Sequence, residues 1–228
     1  MKKILCILFI FIMVFSLGAC NSNTDIDIEP AKTNISKDGV DEFMSILEAE
    51  TATNDSFDFE EENCYNVTPE EILEETDMQI FKFSDSCYSF LMSDGKIYSL
   101  CEFFGGYGFV DALPCDFNND NKKDLLVASS WGSGMHRGEI SVFQSGNVGP
   151  TVIFDTSSGE TLYTDLALEM TPLSVFTGKK KDTDLVFGVW GVEVNSENDN
   201  LADLTVEYLE PVGYVKNENN RAVFVLAD

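Results

Sequence analysis

The chain has 228 residues, with 40 Asp and Glu against 14 Lys and Arg, a formal net charge of −26. That acidity argues against nucleic-acid binding, which needs a basic surface, and against adsorption to an anionic bilayer by charge. It suits a soluble surface that attracts divalent cations, and the length allows one large domain or two small ones.

The chain opens Met1-Lys2-Lys3, runs almost wholly apolar from Ile4 to Leu17, and then reads Gly18-Ala19-Cys20. A basic flank, an apolar core and small residues make an export signal. The alternative is an uncleaved membrane helix, but the apolar run is short for a span. Leu17-Gly18-Ala19-Cys20 resembles the lipobox of bacterial lipoproteins. That resemblance implies a signal peptide over 1–19, lipid on Cys20, and a chain tethered to the extracytoplasmic face of a bacterial membrane. Residues 1–19 hold two lysines and no acid, so their removal takes the charge to −28.

Residues 20–39 are polar after Cys20 and predict a flexible tether. The segment 40–77 predicts short helices. Val40, Phe43, Met44, Ile46 and Leu47 recur at helical spacing, so a helix is expected over Val40–Glu50. Thr51–Asn63 is acidic and loop-like. Thr68-Pro69-Glu70-Glu71 signals a second helix, with Thr68 as N-cap, Pro69 at N1 and Glu71 at N3. It should run to Glu75, with Ile72 and Leu73 facing inward.

From Met78 the pattern changes to short β runs separated by turn residues. Strands are expected over 79–83, 86–92, 96–104, 109–115, 125–131, 139–144, 151–154, 162–170, 173–176, 185–194, 204–209, 213–216 and 221–226. Asp94-Gly95 marks a hairpin. The expected fold is mainly β: antiparallel sheets in a propeller-like or sandwich arrangement over 78–228, with two short N-terminal helices available to cover an open edge.

One loop in that series carries metal chemistry. Asp116, Asn118, Asp120 and Asp124 stand at places 1, 3, 5 and 9 of a tight turn, where alternate side chains can aim oxygens at one centre. Lys122, at place 7, offers its backbone carbonyl. Asn121, at place 6, tolerates the left-handed backbone such loops need. Place 12 is Val127 in an apolar run, so the loop feeds a strand and is not an EF-hand. The alternative is a solvated hairpin turn without metal. The run Asp116-Phe-Asn-Asn-Asp120-Asn-Lys-Lys-Asp124-Leu-Leu-Val127, then Gly132-Ser-Gly134 and Gly138-Glu-Ile-Ser-Val-Phe143, resembles FG-GAP/VCBS-type repeats, the blades of integrin-like β-propellers. The resemblance spans about 104–143, with Asn121 where the family has glycine. It implies a calcium ion held by Asp116, Asn118, Asp120, Asp124 and the Lys122 carbonyl, and binding or adhesion more than catalysis.

A faint repeat places Asp184-Leu-Val-Phe187 and Trp190-Gly191 against Asp124-Leu-Leu-Val127 and Trp131-Gly132; Phe176, Gly178 and Lys180 fall where its ligands would be. A weaker calcium-like spacing, Asn195, Glu197, Asp199 and Asp203, is equally an acidic hairpin. Beyond Cys20 the cysteines are Cys64, Cys87, Cys101 and Cys115. They match no zinc spacing, and as disulfides they allow three pairings. Buried thiols in strands are the alternative.

No catalytic set emerges. Trp131 and Met135 flank Ser133 where a nucleophile elbow requires glycines, and His136 is only three residues away. The loop Trp131–Arg137 nonetheless displays Trp131, His136 and Arg137, a candidate ligand loop for a protein or glycan; the alternative is a long hairpin with Trp131 in the core. The sequence thus predicts a lipid-anchored, calcium-binding β protein, a binding, adhesion or structural envelope module. A cell-surface hydrolase acting through acidic residues is the alternative function.

Overall fold

The computed structural model describes residues 35–51, 59–101, 105–132, 137–144, 151–155, 175–177 and 185–227. They form three four-stranded antiparallel sheets and two helices. Helix α1 spans Val40–Thr51 and α2 spans Glu70–Glu75. Sheet 1 comprises β1 (Cys64–Asn66), β2 (Gln79–Phe83), β3 (Ser89–Ser93) and β4 (Lys96–Cys101). Sheet 2 comprises β5 (Gly108–Cys115), β6 (Asp124–Trp131), β7 (Arg137–Phe143) and β8 (Thr151–Asp155). Sheet 3 comprises β9 (Val175–Thr177), β10 (Phe187–Ser196), β11 (Leu204–Glu218) and β12 (Arg221–Leu226). Each sheet is a meander with its strands side by side in chain order.

The layers stack in the order α1, sheet 1, sheet 2, sheet 3. Phe43 and Leu47 of α1 pack with Phe81, Phe83 and Phe90 on one face of sheet 1, and the Phe43 ring stacks on Phe81 at 4.3 Å. The other face of sheet 1 meets sheet 2 through Ile80, Leu91, Leu125 and Val127. Leu126, Ala128 and Ile140 then meet Phe187, Val189 and Val215 of sheet 3. Sheet 2 is therefore covered on both faces, which explains the unbroken apolar run Leu125-Leu126-Val127-Ala128: its alternate residues serve two different cores. Sheets 2 and 3 lie in matching order, the backbone of β5 beside β9 and that of β8 beside β12. Of the faint repeat, Phe187 and Trp190 stand on β10 as Val127 and Trp131 stand on β6, the second strand of each sheet; Asp184 lies outside the described residues.

Local chemistry sets the turns. Asp94 and Gly95, with φ of 52° and 68°, close the β3–β4 hairpin between paired Ser93 and Lys96. Gly106 has φ of 92°, and a Cβ there would stand 2.4 Å from the Trp131 Cα, so only glycine fits against β6.

Several expectations need correction. Thr68 does not cap α2: Pro69 takes that position, and the Thr68 hydroxyl instead accepts the Ile80 N–H at 2.8 Å. A buried ladder donor has no solvent to turn to, whereas a helix N-terminus at the surface has. Ile72 is buried but Leu73 is 43% exposed, because six residues present only one inward row. The expected strands 204–209 and 213–216 are one strand, β11. Pro211 lacks an N–H, and the ladder absorbs it with register shifts at Val189/Trp190 and Gly191/Val192. α1 covers a face of sheet 1, not a sheet edge. β1 belongs to the segment read as helical, and the strand expected over 162–170 lies outside the described residues.

Candidate metal centre

The loop 116–123 joins β5 to β6 within the doubly covered sheet. The ladder runs to the pair Cys115↔Asp124, and the eight residues between form no further strand pairs. Phe117 anchors the base. Its side chain is fully buried between sheets 2 and 3, edge-on to Phe187 at 5.8 Å. Its N–H donates to Asp124 Oδ2 at 2.9 Å, and its carbonyl accepts from Asn217 Nδ2 of β11. The loop is thereby tied to both sheets.

Above that base the acidic and amide side chains turn inward. Asp116 accepts the Asp120 N–H on Oδ1 at 3.1 Å and the Asn121 N–H on Oδ2 at 3.0 Å. Asn118 Oδ1 also accepts the Asp120 N–H, at 2.9 Å, and Asp120 Oδ1 accepts the Lys122 N–H at 2.8 Å. These bonds compete with regular secondary structure and coil the backbone around its own side chains. Asn119 and Asn121 take φ of 58° and 65°, the left-handed region that Asn tolerates. Asn121 was expected there from its place in the loop; Asn119 was not. Lys123 points elsewhere and pairs with Glu75 at 2.5 Å.

The four side chains expected as ligands thus share one loop, and all four accept N–H groups of its backbone. Among the described residues, no three His, Cys, Asp or Glu side chains close into a metal cage by themselves. That holds for Asp116, Asp120 and Asp124 as well; the set expected from the sequence adds one amide oxygen and the Lys122 carbonyl to these three carboxylates. All are hard oxygen donors, the chemistry of calcium and not of zinc or copper. Each carboxylate oxygen engaged by an N–H keeps a second lone pair. The oxygens are of the kind calcium takes, and holding an ion there would require the carboxylates to draw together.

The loop with the weaker spacing behaves differently. Between β10 and β11 the turn is organised by Asn200, whose Oδ1 accepts the Ala202 N–H at 2.9 Å. Asn195 lies within β10, paired with Thr205. The hairpin tip docks on sheet 1, the Leu201 N–H donating to the Ser84 carbonyl at 3.0 Å, with Ala202 in the core between sheets 1 and 2. Trp131 ends β6 half-buried, and its backbone ladder partner is Arg137. Ser133 and His136 lie outside the described residues, as do Cys20 and everything before residue 35. Comparison of the chain with protein-family models, with curated proteins and with solved structures returns no match.

Sequence reasoning missed Lys82. It alternates with Phe81 and Phe83 in β2 and points into the layer between sheets 1 and 2, where it is 1% exposed and its Nζ donates to the Phe109 carbonyl at 2.9 Å. Burial pulls its ammonium down to about 7. The neighbouring Cys87 thiol is also lowered, first by a hydrogen bond with Cys101. Both shifts make the native chain shed protons before the unfolded chain does, so the unfolded state binds more protons above pH 7. With its thiols kept reduced, the protein should gain stability as pH rises from about 7 to 9. Above that window the Cys64 thiol, pushed up to about 12 by burial, acts in the opposite sense. Denaturant midpoints across this range should rise for the wild type and flatten for Lys82→Met; parallel curves would contradict the assignment.

Proposed function

We propose that this is a lipid-anchored extracytoplasmic protein whose middle sheet carries a calcium loop, and that it serves as a binding, adhesion or structural envelope module. The observation that carries the reading is the loop 116–124: inward-turned Asp and Asn oxygens between the first two strands of a sheet covered on both faces. The stacking of four-stranded meanders in matching order supports the resemblance to FG-GAP/VCBS repeats. Asp116, Asn118, Asp120, Asp124 and the Lys122 carbonyl would hold the ion. Calcium would supply charge neutralisation, and the chain's own residues do the rest. Phe117 and Asn217 pass the loop's rigidity to the interface of sheets 2 and 3, which leaves a fixed scaffold for a protein or glycan ligand. The −28 charge of the chain beyond residue 19 keeps it off anionic lipid, so attachment falls to the acyl group on Cys20.

The anchor is tested by fractionation of expressing cells. Wild-type chain should sediment with membranes and be cut by protease added outside the membrane. Cys20→Ser should move to the soluble extracytoplasmic fraction. Unchanged sedimentation of the variant would sink the lipid anchor.

A further inference from the structure

The fold distributes the four cysteines unequally. Cys64 lies between α1 and sheet 1, and Cys115 between sheets 2 and 3. Sheets 1 and 2 stand between them, so they cannot meet in the folded chain. Cys87 and Cys101 are together. Cys87 sits in the β2–β3 turn two residues before Ser89, and Ser89 is the ladder partner of Cys101. The two thiols are hydrogen-bonded to each other, and Cys101 Sγ also lies 3.9 Å from the Ser130 carbonyl. The Lys82 amine, held by the Phe109 carbonyl, is close enough to both sulfurs for its charge to act on them. Among the four cysteines, Cys87 and Cys101 are the two that the β3–β4 ladder brings side by side. The complementary bond, Cys64–Cys115, is forbidden.

We propose that Cys87 and Cys101 form a disulfide-closing site that acts by exchange with an external disulfide, while Cys64 and Cys115 stay as thiols. The Cys87 thiolate attacks the external disulfide, forms a mixed disulfide and expels one thiolate. Cys101, losing its proton, then attacks the Cys87 sulfur; the Sγ–Sγ bond forms and the second thiolate leaves. The two cysteines are oxidised by two electrons, the external disulfide is reduced to two thiols, and both protein protons end on those thiols. The hydrogen bond with Cys101 is the main influence favouring the Cys87 thiolate, the charge of Lys82 a lesser one. Cys87 and Cys101 are 2% and 3% exposed, so exchange belongs to the stage before sheet 2 closes over sheet 1. Once formed, the bond is shielded from reductants. It joins the β2–β3 turn to β4 at the far side of the β3–β4 hairpin. The proposal draws on the exported reading only for where the oxidant is met; the pairing rests on the fold.

The test has two arms. In the first, the purified chain without residues 1–19 and with Cys20→Ser is denatured, reduced and refolded in oxidised and reduced glutathione. It is then alkylated in denaturant and digested without reduction for mass spectrometry. The expected map has one Cys87–Cys101 linked peptide and alkylated Cys64 and Cys115. Four alkylated cysteines, or any link through Cys64 or Cys115, would overturn the pairing. If refolding fails, the same map is made on native chain purified from expressing cells, with the same deciding outcomes. In the second arm, full-length chain is mapped directly from the cell envelope. A link in refolded protein but thiols in envelope protein would refute closure in the cell and count against the exported reading, while the fold-derived pairing stands.

Discussion

Calcium at about a hundredfold excess over its dissociation constant should raise the melting temperature of the wild-type chain by roughly 5–10 °C and leave that of Asp120→Ala unmoved. A ligand bound only by the folded state at that excess adds about 2.7 kcal/mol, and a chain of this size gains a few degrees per kcal/mol. Asp120 is the informative position because it is exposed and bonds only within the loop, its Oδ1 taking the Lys122 N–H at 2.8 Å. Its removal takes away one carboxylate and leaves the core alone, so the melting temperature in chelator should shift by only about 1–3 °C. Differential scanning calorimetry in calcium and in chelator checks both halves. Equal responses of wild type and variant to calcium would remove Asp120 from the ligand set.

Phe117→Ala should act in the opposite pattern, destabilising the chain with or without calcium. The ring is fully buried against Phe187, and its truncation opens a cavity between sheets 2 and 3. Such truncations cost about 3–5 kcal/mol, which corresponds here to a loss of roughly 10 °C. The backbone bonds at Phe117, its N–H to Asp124 and its carbonyl to Asn217, do not depend on the ring. They should hold the loop's path well enough for residual calcium stabilisation, reduced because the base can now shift. A variant that melts with the wild type would mean that Phe117 is not the anchor of this loop. Read together, the two substitutions separate the ion's ligands from the loop's foundation.

The loop was legible in the sequence because its determinants are local. Spacing of oxygen-bearing residues at 116, 118, 120 and 124 fixes which side chains can turn inward, and Asn121 was recognisable as the residue able to take a positive φ. The strand after it was legible from the β-branched and apolar run at 125–128. What that run could not disclose was which residue faced which sheet, since both faces are buried and the period vanishes. Non-local competition accounts for the misses. Thr68 has the side chain of a helix cap, but the unpaired N–H of Ile80, twelve residues on, takes it instead. β1 is three residues long, too short to carry an alternation. The break expected between 209 and 213 is not there: Pro211 stays paired with Trp190, and the ladder skips Val212 and Leu209 on either side, so the longest strand runs through. Lys82 sits in an alternating segment where a lysine signals a solvent face; here the second face of sheet 1 meets sheet 2. The neighbourhood of Cys87 and Cys101 is likewise a product of ladder register, which spacing alone does not encode.

Isothermal titration calorimetry of calcium into metal-free chain reaches the main assignment without relying on stability. One site should saturate in the wild type, and the same titration into Asp120→Ala should give no more than the heat of dilution. A wild type that takes up no calcium, or a variant that binds it as the wild type does, would contradict the loop as a metal centre.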